Sequence, residues 1–67
     1  MKRKALLIGK MAEKQISRKD MAARMGMTVG TLNIRLNGQK DFRLGEAFLI
    51  CEILGIPDGE TMKYFND

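Results

Sequence analysis

The sequence predicts a single all-α domain of five short helices, and three observations lead to this prediction. Apolar residues recur every three or four positions, which is the spacing of one helix face, and no segment alternates apolar and polar residues as a strand would. Glycine and proline divide this pattern into short segments, because both residues end helices readily. A chain of 67 residues forms one domain with a thin core, which we expect to span residues 1–67.

The first two helices are predicted over residues 3–14 and 18–25. Ser17 precedes the second helix as an N-cap, because its hydroxyl can accept a hydrogen bond from a backbone N–H of the next turn. The predicted inner face of the first helix carries Leu7, Ile8, Met11 and Ala12. That of the second helix carries Met21, Ala22 and Met25.

The third helix is predicted over residues 29–36, only three residues after the second. Gly26 suits the end of the second helix because glycine adopts positive φ at little cost. Thr28 is expected to cap the third helix, whose predicted inner face carries Val29, Leu32 and Leu36. Asn37 and Gly38 are expected to end it, since both tolerate a left-handed backbone.

The fourth helix is predicted over residues 43–54, after the loop "QKDF". Its predicted inner face carries Leu44, Ala47, Phe48, Cys51 and Leu54. Pro57 prevents its continuation, and Asp58 is expected to cap a last short helix that carries Met62 and Phe65. The fourth helix and the C-terminus hold more apolar residues than one buried face needs, which indicates either a thin core or a dimer contact: Leu49, Ile50, Ile53, Ile56, Tyr64 and Phe65.

Charge is divided unevenly along the chain. Residues 1–40 hold ten basic and two acidic residues, whereas residues 41–67 hold two basic and six acidic ones. A basic half is typical of a surface that binds polyanions, although a solvated charged surface would show the same composition.

The composition argues against several other classes of protein. Without histidine, and with Cys51 on the apolar stripe of a helix, we expect no enzyme and no cofactor, metal or small-molecule substrate. A lone cysteine excludes an internal disulfide, and the run "ALLIG" is too short for a signal peptide or a membrane span. We therefore expect a cytoplasmic protein.

Two helices joined by a short glycine-containing turn form a helix-turn-helix, in which the second helix can lie in the major groove of DNA. The segment "ISRKDMAARMGMTVGTLNIRLNGQKDFRLGEAFLICEILGI" resembles the lambda-repressor/Cro superfamily, the XRE-type helix-turn-helix proteins. The shared features, in order, are Ser17, Ala22, Gly26, Thr28, Asn37-Gly38 and "LGI" at 54–56. The resemblance implies five short helices, operator binding as a homodimer joined through the C-terminal end, and a likeness to a small phage Cro protein or repressor.

The resemblance also implies two sets of DNA-contacting residues. Base edges would be read by the exposed side of the third helix, at Thr28, Val29, Gly30, Asn33 and Ile34. Phosphates would be contacted by Arg18, Lys19, Arg35, Lys40 and Arg43. Asn33 can pair with adenine through two hydrogen bonds, and Val29 and Ile34 can contact thymine methyl groups. Val29 could instead pack in the core, and each cation could simply be solvated.

The chain departs from the family pattern at two places. Many family members carry a buried Arg–Glu ion pair where this sequence has Met11 and Leu36, and a change of both partners to apolar residues is often neutral or stabilising. The usual polar readers are replaced by Val29, Gly30 and Ile34. We expect a sequence-specific transcriptional regulator, a Cro-like repressor of phage or mobile-element type. The alternative is a protein-interaction module on the same fold, similar to an antirepressor or antitoxin.

Overall fold

The computed structural model describes residues 3–65, and within this range it contains five α-helices and no strand. The helices are α1 (Ala5–Glu13), α2 (Arg18–Met25), α3 (Val29–Leu36), α4 (Leu44–Leu54) and α5 (Thr61–Phe65). A single 3₁₀ turn, Asp58–Glu60, leads into α5. The predicted all-α fold of five short helices is therefore confirmed. Each predicted helix is present, although α1 begins two residues later than predicted and α4 one residue later.

All five helices contribute to one apolar core. Its centre contains side chains that are wholly inaccessible to solvent, among them Leu7 of α1, Leu32 of α3 and Leu54 of α4. The complete set of buried residues is Leu7, Met11, Met21, Ala22, Leu32, Leu36, Ile50, Cys51, Leu54, Ile56 and Tyr64. In so small a domain most of the apolar side chains must serve this core.

Four helices end in the same way, on a residue in the left-handed conformation. Gly26, Gly38 and Gly55 have φ values of 69°, 83° and 70°, and each is followed by a residue whose N–H reaches back to a carbonyl five positions earlier. This is the Schellman motif, which glycine favours. The fourth such residue is Gln15 at the end of α1, with φ 58°. Asn37 and Gly38 end α3 as expected, with Asn37 at a right-handed φ of −79° and Gly38 in the left-handed conformation.

The inner face of α4 is rotated from the predicted one. Leu44 and Phe48 are 72% and 58% exposed, so their predicted inward orientation is wrong, while Ile50 is fully buried. The reason is that apolar residues surround this helix almost completely, and periodicity alone does not decide which of them face inward. The core selects the face that carries Ile50, Cys51 and Leu54.

Three smaller expectations are also corrected. Ala12 is exposed, because each residue turns the helix by about 100° and Ala12 is thereby carried past the edge of the buried Leu7–Met11 stripe. Asp58 caps no helix, because the 3₁₀ turn begins at this residue and its N-cap position is Pro57. Met62 is exposed, and Tyr64 is the buried residue of α5.

The N-terminal segment connects α3 to the C-terminal helix. The backbone N–H of Lys4 donates to the carbonyl oxygen of Leu36 at 2.8 Å, at the end of α3. Its Nζ donates to the carbonyl oxygen of Phe65 at 3.1 Å. The end of α3 is thereby held against the body of the domain, while the start of α3 is held by α2.

Candidate nucleic-acid interface

Helices α2 and α3 pack against each other through a close contact. Ala22 of α2 is almost wholly buried, and its small side chain permits the two helices to approach. Gly26 makes the sharp exit from α2, and only Met27 and Thr28 follow before α3 begins. Because the inner side of α3 is buried through Leu32 and Leu36, its other side is left facing solvent.

Both caps predicted for this unit are present. The hydroxyl of Ser17 accepts a hydrogen bond from the N–H of Asp20 at 3.0 Å, and that of Thr28 accepts one from the N–H of Thr31 at 3.1 Å. The Thr28 hydroxyl also donates to the Oγ1 of Thr31 at 3.0 Å. The hydroxyl predicted to read a base is therefore engaged within the protein, at the first turn of α3.

The outer face of α3 is apolar near its start and in its last turn. Val29 and Ile34 are 38% and 37% exposed, so the predicted inward position of Val29 is wrong: the core takes Leu32 and Leu36 instead. Between them, a Cβ built on Gly30 would meet only the hydroxyl oxygen of Thr28, at 3.9 Å. Nothing in the fold therefore requires glycine at position 30.

A hydrogen bond joins the start of α2 to the middle of α3. Nη1 of Arg18 donates to Oδ1 of Asn33 at 2.6 Å, and both side chains are half-buried. Arg18 was predicted to contact phosphate and Asn33 to read a base. The structure brings the two side chains together at the outer face of α3.

The remaining predicted phosphate contacts lie in two places. Lys19 is exposed on the first turn of α2, beside Arg18. Lys40 and Arg43 are exposed in the loop between α3 and α4, where they line a shallow depression with Gly38 and Asp41. These cations are available to a polyanion at the start of α2 and just beyond the end of α3.

Arg35 differs from the other predicted phosphate contacts because it is engaged in an ion pair. Its Nε donates to Oε1 of Glu46 at 3.1 Å, and the side chains are only 12% and 22% exposed. The same oxygen accepts from the backbone N–H of Arg43 at 2.9 Å. Burial works against the charge of Glu46, but the hydrogen bonds from Arg43 and Arg35 outweigh it and lower the pKa of this carboxyl.

An open apolar groove lies between α4 and α5. It has a volume of about 1220 Å³, and its exposed apolar side chains are Leu44, Phe48 and Met62. Asp41, Glu52 and Asp58 line its polar edge. We call this surface the apolar groove. Of the residues predicted for a dimer contact, Ile56 and Phe65 line this groove, but none of the six is exposed: Ile50, Ile56 and Tyr64 are buried in the core, and Leu49, Ile53 and Phe65 are half-buried.

Other kinds of site have little support among residues 3–65. Cys51 is buried, and this burial raises the pKa of its thiol, which keeps it protonated. No group of three or more metal-ligating side chains occurs in this part of the chain. No helix within the same range has the length and apolar character that spanning a membrane requires.

Three features of this region were not predicted from the sequence. They are the Arg18–Asn33 hydrogen bond, the Arg35–Glu46 ion pair and the left-handed Gln15. A signal existed for the orientation of Glu46 but not for its partner Arg35: Glu46 stands three residues after Arg43, the spacing at which a helix carboxylate reaches back to the N-cap backbone. The Arg18–Asn33 hydrogen bond joins residues far apart in the sequence, and Gln15 is not a residue type that favours a left-handed backbone, so local spacing predicts neither.

Comparison with known families decides the assignment of this helical unit. The family model of the Cro/C1-type HTH DNA-binding domain matches residues 7–67, which is most of the chain. The chain belongs to this family. The predicted resemblance to Cro-type and XRE-type helix-turn-helix proteins is thereby confirmed. No curated protein and no solved structure shows significant similarity to the chain.

Membership in the Cro/C1-type family makes the chain a DNA-binding regulator. In helix-turn-helix proteins the second helix of the motif lies in the major groove, and the helix in that position here is α3. The match includes α2, the turn at Gly26 and α3, as well as the loop with Lys40 and Arg43. The outer face of α3, the cations at the start of α2 and those in the loop after α3 all lie within the matched residues, so the proposed DNA contacts are drawn from them.

Proposed function

We propose that the chain is a sequence-specific transcriptional regulator, a Cro-like repressor of phage or mobile-element type. It acts in the cytoplasm by occupying an operator and excluding polymerase, and it needs no cofactor. The observation that carries this proposal is the outer face of α3, where Val29 and Ile34 are exposed, together with exposed cations at the start of α2 and in the loop that follows α3. An α-helix of this width fits the major groove of DNA.

Contacts with the bases come from the exposed side of α3. Val29 and Ile34 present apolar surface suited to thymine methyl groups, and Asn33 supplies a polar amide. Gly30 allows the backbone to lie close to the base edges, and Thr28 sets the start of the helix. Val29, Asn33 and Ile34 are thus the side chains proposed to contact bases, and Thr28 and Gly30 position them.

Phosphate contacts come from the two flanking clusters of cations. Lys19 acts at the start of α2, together with Arg18, and Lys40 and Arg43 act beyond the end of α3. Such contacts hold the helix in register but do not distinguish sequences. We assign Arg35 a supporting role instead, because its ion pair with Glu46 joins α3 to α4.

The proposed regulator binds DNA as a homodimer. Helix-turn-helix dimers read two half-sites about 34–36 Å apart, and the operator shares their two-fold symmetry. The apolar groove offers the contact surface, because Phe48 and Leu44 are the most exposed large apolar side chains of α4. Exposed apolar groups of this kind are commonly covered in an oligomer.

The experiment that tests the proposed function is selection of binding sites from random duplex DNA. Enrichment of a palindromic site would support a dimeric operator-binding protein. Two variants then separate reading from phosphate binding: Asn33→Ala should change preference at one base pair, whereas Lys40→Ala should weaken all sequences alike. Failure of the unmodified protein to enrich any site would contradict the proposal.

A second candidate function is a protein-interaction module on the same fold, similar to an antirepressor or antitoxin. The observation that favours it is that three carboxylates, Asp41, Glu52 and Asp58, line the apolar groove against one cation, Lys4, a net acidic lining that suits a basic apolar partner. Sedimentation of Phe48→Glu, with Leu6→Glu as an exposed control outside the groove, tests the two candidates. The dimeric regulator predicts that only Phe48→Glu becomes monomeric and loses operator affinity.

A further inference from the structure

We infer that Arg18 and Asn33 act as one base reader that presents only hydrogen-bond donors, and that it selects guanine in the major groove. This inference rests on the proposed function and specifies its target. Its basis is the 2.6 Å hydrogen bond from Nη1 of Arg18 to Oδ1 of Asn33, between two half-buried side chains on α2 and α3.

The chemistry of arginine determines the orientation of the Asn33 amide. A guanidinium has N–H donors and no acceptor, so the atom of Asn33 that faces it must be the carbonyl oxygen. The amide nitrogen, with its two N–H groups, is then directed away from Arg18. Asn33 therefore offers donors on the side that remains open.

This orientation works against the pairing with adenine that asparagine alone would favour. Adenine needs an acceptor for its N6 amino group as well as a donor for N7. In this structure the acceptor of Asn33 is occupied by Arg18, whose charge strengthens the bond. Adenine would have to break that bond before it could pair with both atoms of the amide.

Guanine fits the same arrangement without rearrangement. Its major-groove edge carries two acceptors, N7 and O6, and the remaining N–H groups of Arg18 and Asn33 can donate to both. The neighbouring positions add no competing polar reader. Gly30 has no side chain, the Thr28 hydroxyl is engaged with Thr31, and Ile34 is apolar.

The role of Arg18 changes accordingly from phosphate contact to base contact. Lys19, the next residue and exposed, remains to contact phosphate at the start of α2. The two neighbouring cations thus have separable roles: loss of Arg18 should alter preference, and loss of Lys19 should lower affinity for all sequences.

The first test uses the unmodified protein and modified DNA, so that no variant needs to fold. A guanine in each half-site of the selected duplex is replaced by 7-deazaguanine, which lacks the N7 acceptor, or by hypoxanthine, which retains both major-groove acceptors. We expect 7-deazaguanine to weaken binding by about 5- to 100-fold, the range of one specific base contact, and hypoxanthine to leave it nearly unchanged. Equal binding of all three duplexes would overturn the inference.

The second test uses Arg18→Lys and Asn33→Asp, with Lys19→Ala as the control. Lysine retains the charge of Arg18 but not its planar set of donors, and aspartate retains the acceptor for Arg18 but not the amide donors. Both variants should lose preference at the same G·C pair, and Lys19→Ala should keep it. Lost preference at an A·T pair, or no change, would overturn the inference while the proposed function stands. If the unmodified protein selects no site from random DNA, both the inference and the proposed function would be overturned.

Discussion

Nε of Arg35 lies 3.1 Å from Oε1 of Glu46, so that an ion pair with little solvent exposure joins the last turn of α3 to the first turn of α4. The same carboxylate oxygen accepts from the N–H of Arg43, which precedes α4. Glu46 therefore holds the loop with Lys40 and Arg43 against the recognition helix. This loop is the proposed site of phosphate binding. The ion pair therefore stabilises the fold and also positions the cations proposed to contact DNA.

We predict that Glu46→Gln destabilises the protein by about 1–3 kcal/mol at neutral pH, because the Arg35 guanidinium loses its charged partner. The pKa of Glu46 is lowered in the folded state, so its contribution is fully present above the ordinary glutamate pKa of about 4.3 and is lost as the pH falls through the folded pKa. Denaturant unfolding at neutral and acidic pH measures both effects. Glu52→Gln, exposed on the same helix, is the control. An unfolding difference that stays constant down to acidic pH would contradict the assignment.

We predict that Gln15→Gly stabilises the protein by about 1 kcal/mol. Gln15 ends α1 at φ 58°, a conformation that costs a residue with a side chain about 1–2 kcal/mol and glycine much less. Gly55→Ala places a side chain at φ 70° and should have the opposite effect. Thermal melts of the two variants measure this, and a lower melting temperature for Gln15→Gly would contradict the expected strain.

We predict that Met11 and Leu36 are packing partners across α1 and α3. Both are buried in the core, at the positions where many family members carry an ion pair. Leu36→Ala should cost about 2–5 kcal/mol, and Leu36→Glu at least as much. Met11→Arg combined with Leu36→Glu should recover part of that loss. Thermal melts of the single and double variants decide this, since additive losses would mean that the two side chains are not partners.

We predict opposite effects of Gly30→Ala on folding and on DNA binding. A Cβ at this position meets nothing closer than 3.9 Å, so the helix should gain up to about 1 kcal/mol in the free protein. If α3 approaches the base edges as proposed, the added methyl group should weaken operator binding. Gly9→Ala, in the interior of α1, should stabilise without affecting DNA binding. Operator affinity that Gly30→Ala leaves unchanged would show that the backbone does not come close to DNA there.

The sequence predicted what depends on local chemistry. Ser17 and Thr28 cap their helices as their hydroxyl groups suggest, and Gly26 ends α2 at the positive φ that glycine tolerates best. Local pattern also located all five helices. Gly26, Gly38 and Gly55 interrupt the apolar periodicity where α2, α3 and α4 end, whereas α1 ends at Gln15 without a glycine or proline.

What the sequence did not predict depends on packing between helices. The buried face of α4 was misassigned at Leu44 and Phe48, because apolar residues surround that helix and only contact with the other helices selects a face. The Arg18–Asn33 bond joins residues fifteen positions apart, and it depends on the angle at which α2 and α3 cross. The outer face of α3 was foreseen as the candidate site, but the pairing of its polar groups was not.

The salt dependence of DNA binding tests most directly whether the chain binds DNA through its exposed cations. The exposed cations that we assign to phosphate are Lys19, Lys40 and Arg43. They make about six phosphate contacts in a dimer, which predicts a slope of roughly −5 for log K against log salt concentration. Gel-shift titrations of the selected duplex measure it, and Lys40→Ala should make the slope shallower by about two units in the dimer. A slope near zero, or no shift of any duplex even at low salt, would contradict the account.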